Sequence, residues 1–227
     1  MNDLIQSFEY SFKAEPVNDL LNDISDTAFD ALIDSDAING IPVLGFLNSV
    51  RKINNSIQDY MLAKKMYKFL YNTSNLSIAE KAGFVVDLEE VNHERAFETL
   101  FSLIDRIDNV NKIGILTNLI RSRVWGHISI EDFVRLTIVL ERIPYPDLKY
   151  IKNYLENCDE PGVTEMLNAA GILYASVVGN DSQYKLNSIG EKFLKYGLDY
   201  EFDVKGSYVQ TVNAAISWED IDEVTKD

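Results

Sequence analysis

The chain has 227 residues, 46% of them hydrophobic and 25% charged, an ordinary balance for a globular protein with a substantial core. Its 36 acidic and 21 basic residues leave a net charge of −15, which repels phosphate backbones and anionic membranes and disfavours general nucleic-acid binding. The acid gathers at the two ends, with nine acids to one base over 1–50 and seven to two over 201–227. A single cysteine, Cys158, cannot form an internal disulfide and fits a cytoplasmic setting.

The opening stretch MNDLIQSFEYSFKAEP has neither a basic leader nor an apolar block, so no secretory signal is expected. Helical spacing then predicts an amphipathic helix over 16–36, with Val17, Leu20, Leu21, Ile24, Ala28 and Leu32 inside. Asp19, Asp23, Asp26, Asp30 and Asp34 step along its other face as an acidic ridge. That ridge reads either as a solvated face or as a dock for a basic partner. The turn SDAINGIPVLG follows, with Asn39 and Gly40 as cap candidates and Pro42 in the first turn of a long helix over about 42–72. Along it, Val43, Leu47, Val50, Asn54, Ile57, Met61 and Lys64 alternate by four and three, a heptad seam carrying the asparagine that sets register between paired helices. The seam predicts either self-association or packing within the chain's own bundle.

Ser77-x-x-Glu80 is a capping box opening the next helix. The patterns HERAFETLFSLIDRID and NVNKIGILTNLIRSRVWG give two more, and Ser129 with Asp132 starts a further one over ISIEDFVRLTIVLERI. Pro144 and Pro146 interrupt that helix and mark the expected domain boundary. Beyond them the order is helix (PDLKYIKNYLEN), helix (PGVTEMLNAA), strand (ILYASVV), turn (GND), strand (QYKLN) and helix (SIGEKFLKY). Ser188-x-x-Glu191 is a second capping box, and YEFDVKGSYVQTV a short hairpin around Lys205-Gly206, ahead of an acidic tail.

Chemistry-bearing constellations are sparse. Glu90-x-x-His93 is half of a di-iron bundle motif, but the other histidine, His127, follows Val124 by three, so the second half is missing. RSRVWGHISIEDF resembles the back of a calcium loop, yet Arg121, Arg123 and Trp125 stand where oxygen ligands belong, which makes it a helix–turn–helix junction. Cys158 is flanked by Glu156, Asp159 and Glu160, which blunt a thiol. No nucleophile elbow, phosphate loop or dinucleotide fingerprint is present, so no catalytic residue, cofactor or metal is expected. Arg121 and Arg123 form a dense positive patch, read as salt-bridge partners or as a phosphate pocket.

Over Gly162 to Leu194, the residues Leu167, Gly171, Ile172, Tyr184, Leu186, Ser188 and Gly190 resemble the winged-helix repressors, whose recognition helix leads into a strand, a turn, a strand and a helix. The resemblance implies a recognition helix over Pro161 to Ala170 with polar positions Thr164, Glu165 and Asn168, and a wing tip at Gly179 to Ser182. That helix has no lysine or arginine, and Lys149 to Tyr200 carries five bases and seven acids, so phosphate neutralisation is absent. The order GIPVLGFL, KKMYKFL, LIDRIDNVNKIGILTNLI, GHISIEDFVRL, LNAAGILY and YKLNSIGEKF is also similar to a group of bacterial helical proteins of unknown function. That similarity implies a bacterial, soluble, helical protein, with a phage-defence or mobile-element setting.

The expectation is therefore a mainly α protein: a helical bundle over 1–145, a winged-helix-like module with a small β-hairpin over 146–200, and a short hairpin and acidic tail over 201–227. Its expected role is non-enzymatic binding or regulation, with a protein partner or a second copy engaged through the acidic ridge, Asn54 and the seam. A winged-helix DNA-binding regulator, an acidic DNA mimic and a membrane-active effector using GIPVLGFL are the alternatives.

Overall fold

The computed structural model describes residues 2–15, 17, 21, 29–33, 35–54, 56–178, 181–202 and 208–210. The protein is mainly helical with small antiparallel β pairings, and it divides into two compact units, Met1–Thr117 and Asn118–Asp227. The division falls inside one helix, whereas the proline pair at 144 and 146 lies within the second unit.

In the first unit, α1 (Asn2–Lys13) was not foreseen, although Ile5, Phe8 and Phe12 stand at helical spacing and are all buried. Of the helix expected over 16–36, Phe29–Leu32 forms α2, and Val17, Leu21 and Leu32 are buried as expected. Asp19, Asp23, Asp26 and Asp34 lie outside the described residues. Asn39 and Gly40 do not cap the next helix but close a 3₁₀ turn over Asp36–Gly40. The following helix, α3 (Pro42–Asn54), takes its cap from a distance: the buried Val43 amide donates to the Ser11 hydroxyl of α1 at 3.1 Å.

The long helix expected over 42–72 is two helices. α3 ends at Asn54 and α4 runs from Ile57 to Thr73, because the Ser56 hydroxyl accepts from the Gln58 and Asp59 amides and starts a new helix. The two pack against each other as a helical hairpin. α5 (Ile78–Asn92) opens with both halves of the Ser77–Glu80 capping box and ends with His93 in the left-handed conformation at φ 55°. α6 (Ala96–Arg106) follows. At its end the buried Lys65 ammonium donates to the Asp105 and Ile107 carbonyls at 2.6 and 2.9 Å, satisfying groups that a helix terminus leaves open. The centre of the unit is aromatic: Phe8 and Phe12 meet Phe69 and Phe97 with ring centroids 5.4–5.8 Å apart. The Lys81 ammonium lies 5.0 Å from the Phe12 ring centroid.

α7 (Lys112–Val124) carries the chain across the division. In the second unit, Gly126 at φ +76° turns the backbone toward α8 (Ile130–Arg142), which Ser129 caps by accepting from the Asp132 amide. Past the prolines, the expected helix is a 3₁₀ helix, Tyr145–Leu155. α9 (Val163–Ala169) leads into β1 (Leu173–Val178), which pairs antiparallel with β2 (Asp181–Leu186), Leu173 opposite Leu186 and Val178 opposite Asp181. Cys158 adds a bridge on Tyr184, their amides and carbonyls exchanging bonds of 3.1 and 2.9 Å.

α10 (Ser188–Lys192) then continues as a single π turn, Phe193–Gly197. The expected Ser188–Glu191 box is not what starts it. Asn187 is the cap, accepting from the Ile189 and Gly190 amides while its own amide donates to the Gly171 carbonyl at 2.8 Å. Asparagine wins because it serves both the helix and the preceding turn, which a serine cannot. β3 (Tyr200–Phe202) pairs antiparallel with β4 (Tyr208–Gln210) on either side of the expected Lys205-Gly206, which lies outside the described residues together with the wing residues Gly179 and Asn180 and the tail from 211. No helix among the described residues is long and apolar enough to cross a membrane.

Candidate interaction surface

The break at Ser56 redistributes the heptad seam. Val43 and Leu47 point into the first unit's core, together with Leu44 and Asn48. On the far side of α3, Phe46, Val50 and Ile53 recur at i, i+4 and i+7 and so share a second face. Phe46 is 37% exposed and Ile53 83%. α4 adds Ile57 and Met61 one turn apart, 81% and 37% exposed. Each helix of the hairpin therefore has one apolar stripe inside and one outside, and the outer stripes carry the hairpin's exposed large apolar side chains. Isolated exposed apolar residues are ordinary, but four gathered on one hairpin stand out from that background.

The charge beside this ridge is unlike that of the chain as a whole. Residues 51–68 carry five bases, Arg51, Lys52, Lys64, Lys65 and Lys68, against one acid, Asp59. Lys65 is buried beneath α6 and Lys64 lies 3.4 Å from Asp30, which leaves Arg51 and Lys52 on α3 and Lys68 on α4 as the hairpin's other cations. Asn54 is exposed and donates to Asp59 at 3.4 Å across the corner, so it does not sit inside a seam. Asp30, the described member of the acidic ridge, accepts from the Tyr60 hydroxyl and lies 3.4 Å from the Lys64 ammonium. The Tyr60 bond first, then Lys64, holds its carboxyl below the usual range. It is a local partner for α4.

Arg121 and Arg123 belong to the second unit's own framework. Arg121 donates to the Asn118 side chain at 3.1 Å, and Asn118 in turn donates to the Gly197 carbonyl at 3.0 Å. Burial lowers the pKa of Arg121, and Asp199 opposes that shift. Arg123 helps, after the chain's own amide and Ser129, to hold the Glu131 carboxyl down at the start of α8. His127 stacks on Tyr196 with centroids 5.9 Å apart and planes at 11°.

Of the three polar positions on the helix that the winged-helix resemblance makes the recognition helix, one is buried and two, Glu165 and Asn168, are exposed. Thr164 is buried, with its hydroxyl 2.7 Å from that of Tyr154 and 3.0 Å from the Glu160 amide that donates to it. Glu165 accepts from the Gly162 amide at 2.8 Å, closing the N-terminus of α9. Alternating polar spacing in a short helix does not reveal which face packs, and the Tyr154 hydroxyl decides it here. His93, in the left-handed position after α5, has left the helical face that Glu90-x-x-His93 would need, while Glu89 accepts from the Ala96 amide at 3.1 Å. Burial first, then Glu160 and Asp159, pushes the Cys158 thiol up, away from the reactive thiolate.

The outer stripe of α3 was legible at Phe46, Val50 and Ile53, but a seam read straight through Asn54 and Ser56 concealed it. No family model matches the chain, and neither does any curated protein or solved structure.

Proposed function

We propose that the chain is a non-enzymatic, protein-binding regulatory protein whose α3–α4 ridge docks an acidic, apolar-striped helix of a protein partner. The observation that carries this reading is the exposure of Ile53 and Ile57 on either side of the hairpin corner, beside Arg51 and Lys52. An i, i+4, i+7 stripe is the form in which helices meet helices, and the local basic charge selects an acidic partner over a basic one. The winged-helix reading of the second unit also belongs here, as a packing module. The order α9, β1, β2, α10 and the close seat of Gly190 under Ile172 support it. Thr164 and Glu165, both engaged within the unit, and a seven-residue α9 without lysine or arginine speak against a DNA reader.

The test is nuclear magnetic resonance titration of the full chain with two synthetic amphipathic helices of equal apolar content, one acidic and one basic. The acidic peptide is expected to shift Phe46, Ile53, Ile57 and Met61 saturably, and the Ile53→Asp, Ile57→Asp double variant to abolish the shift. Silence with the acidic peptide, or equal binding of the basic one, overturns the proposal. A dimer in sedimentation equilibrium that the same double variant dissolves would also overturn it, in favour of a second copy of the chain.

A further inference from the structure

In the first unit, α5 has an outer face that the fold leaves open. Ile78 and Val86 are 44% and 53% exposed, and Ala79, Ala82 and Gly83 lie exposed between them. These five positions recur at steps of three and four, so they form one apolar stripe along the helix. Phe84, Val85 and Leu88 take the other side into the core. Gly83 is the informative member of the stripe. Its backbone is ordinary helix, so no positive φ requires a glycine there, and an added methyl group would meet nothing within 4 Å. Glycine weakens a helix interior relative to alanine, so the fold gains nothing from it. A second backbone crossing at this point does gain, because small side chains between Ile78 and Val86 let two helix axes approach closely.

Charge selects the occupant. α5 carries the acids Glu80, Asp87, Glu89 and Glu90 against one base, Lys81, which is buried. Glu89 and Glu90 are exposed and follow Val86 by three and four positions, so they continue the open face. They stand in the last turn, at the negative end of the helix dipole, where a carboxylate is unfavourable and a cation is favoured. The next base along the chain, Arg95, is paired with Glu98 at 3.1 Å. An acidic rim of this kind repels phosphate backbones and anionic membranes and attracts a basic partner. We infer that the outer face of α5 docks a basic amphipathic helix of a partner protein, its apolar stripe seated on Ala79, Ala82 and Gly83 and its lysines or arginines against Glu89 and Glu90. The α3–α4 ridge takes no part in this contact.

The test is a nuclear magnetic resonance titration of the full chain, as the parent and as the Ile53→Asp, Ile57→Asp double variant, with a synthetic helix bearing lysines beside a leucine and alanine stripe. Saturable shifts of the Ala79, Ala82 and Gly83 amides are expected with the same affinity in both proteins, weakening as salt is added. Gly83→Leu is expected to weaken binding at least tenfold while its thermal melt is no lower than the parent's, so that binding and stability part company. Glu90→Gln is expected to weaken binding about threefold. No saturable shift at α5 overturns the inference, as does undiminished affinity in the Gly83→Leu protein or equal binding of an acidic helix with the same stripe. Loss of binding in the double variant overturns it in favour of the α3–α4 ridge. A dimer in sedimentation equilibrium that Gly83→Leu dissolves overturns it in favour of a second copy of the chain.

Discussion

The Val43 amide, buried at the start of α3, donates to the Ser11 hydroxyl of α1 at 3.1 Å across 32 positions of sequence. A cap that adjacent residues ordinarily supply comes here from another helix, so the start of α3 and the docking of α1 are one event. Ser11→Ala removes the acceptor without relieving the need for it. It is expected to lower stability by about 1–2 kcal/mol, read as a fall in the urea midpoint at constant slope. A change below a few tenths would mean that the bond contributes nothing.

Two glycines should respond in opposite directions to the same substitution. A methyl group on Gly190 would stand 2.4 Å from the Ile172 carbonyl and 2.8 Å from a Leu186 methyl, and the carbonyl is backbone that cannot step aside. Gly190→Ala is expected to destabilise by about 2–3 kcal/mol through this clash between α10 and the strand it packs on. Gly83, inside α5, has nothing within 4 Å of an added methyl group. Gly83→Ala is expected to raise stability by about 0.5–1 kcal/mol by removing unfolded-state freedom. Thermal melts of the two variants against the parent give both signs.

Lys81 makes stability depend on pH in an unusual window. Burial lowers its ammonium pKa from 10.5 to about 8. Between those values the unfolded chain holds a proton that the folded chain has released, so this residue's contribution to stability rises with pH, from about pH 8 to about pH 10.5. The full rise is on the order of 3 kcal/mol. Lys81→Met removes the titration and retains the packing volume. The difference in urea midpoint between the parent and this variant should move toward the parent across the window, and a difference flat with pH would contradict the shift.

Most helices were legible because their apolar spacing and caps are local properties. Ser77 with Glu80 and Ser129 with Asp132 act as their spacing suggests. Failures came where a nonlocal group outcompeted a local one. Ser188 was displaced by Asn187, whose two-sided bonding depends on where Gly171 lies in space. The seam through Asn54 failed because heptad counting sees side-chain spacing but not Ser56 capping a new helix. The burial of Thr164 was not legible because the Tyr154 hydroxyl it meets is ten positions away on a different helix. A cleft lined by Phe29, Asp30, Lys64, Tyr67, Lys68, Val110 and Asn111 could not be read at all, because these residues form no motif with their sequence neighbours.

The bridge between Cys158 and Tyr184 gives the small β1–β2 sheet a sidedness. Tyr184 is matched with Ala175 on one flank and Cys158 on the other, so the middle of β2 has backbone partners on both sides. Among the described residues β1 pairs with β2 alone, and Tyr174 stands exposed along it. Any growth of the sheet by strand addition, whether by a peptide or in aggregation, is therefore steered to the outer edge of β1.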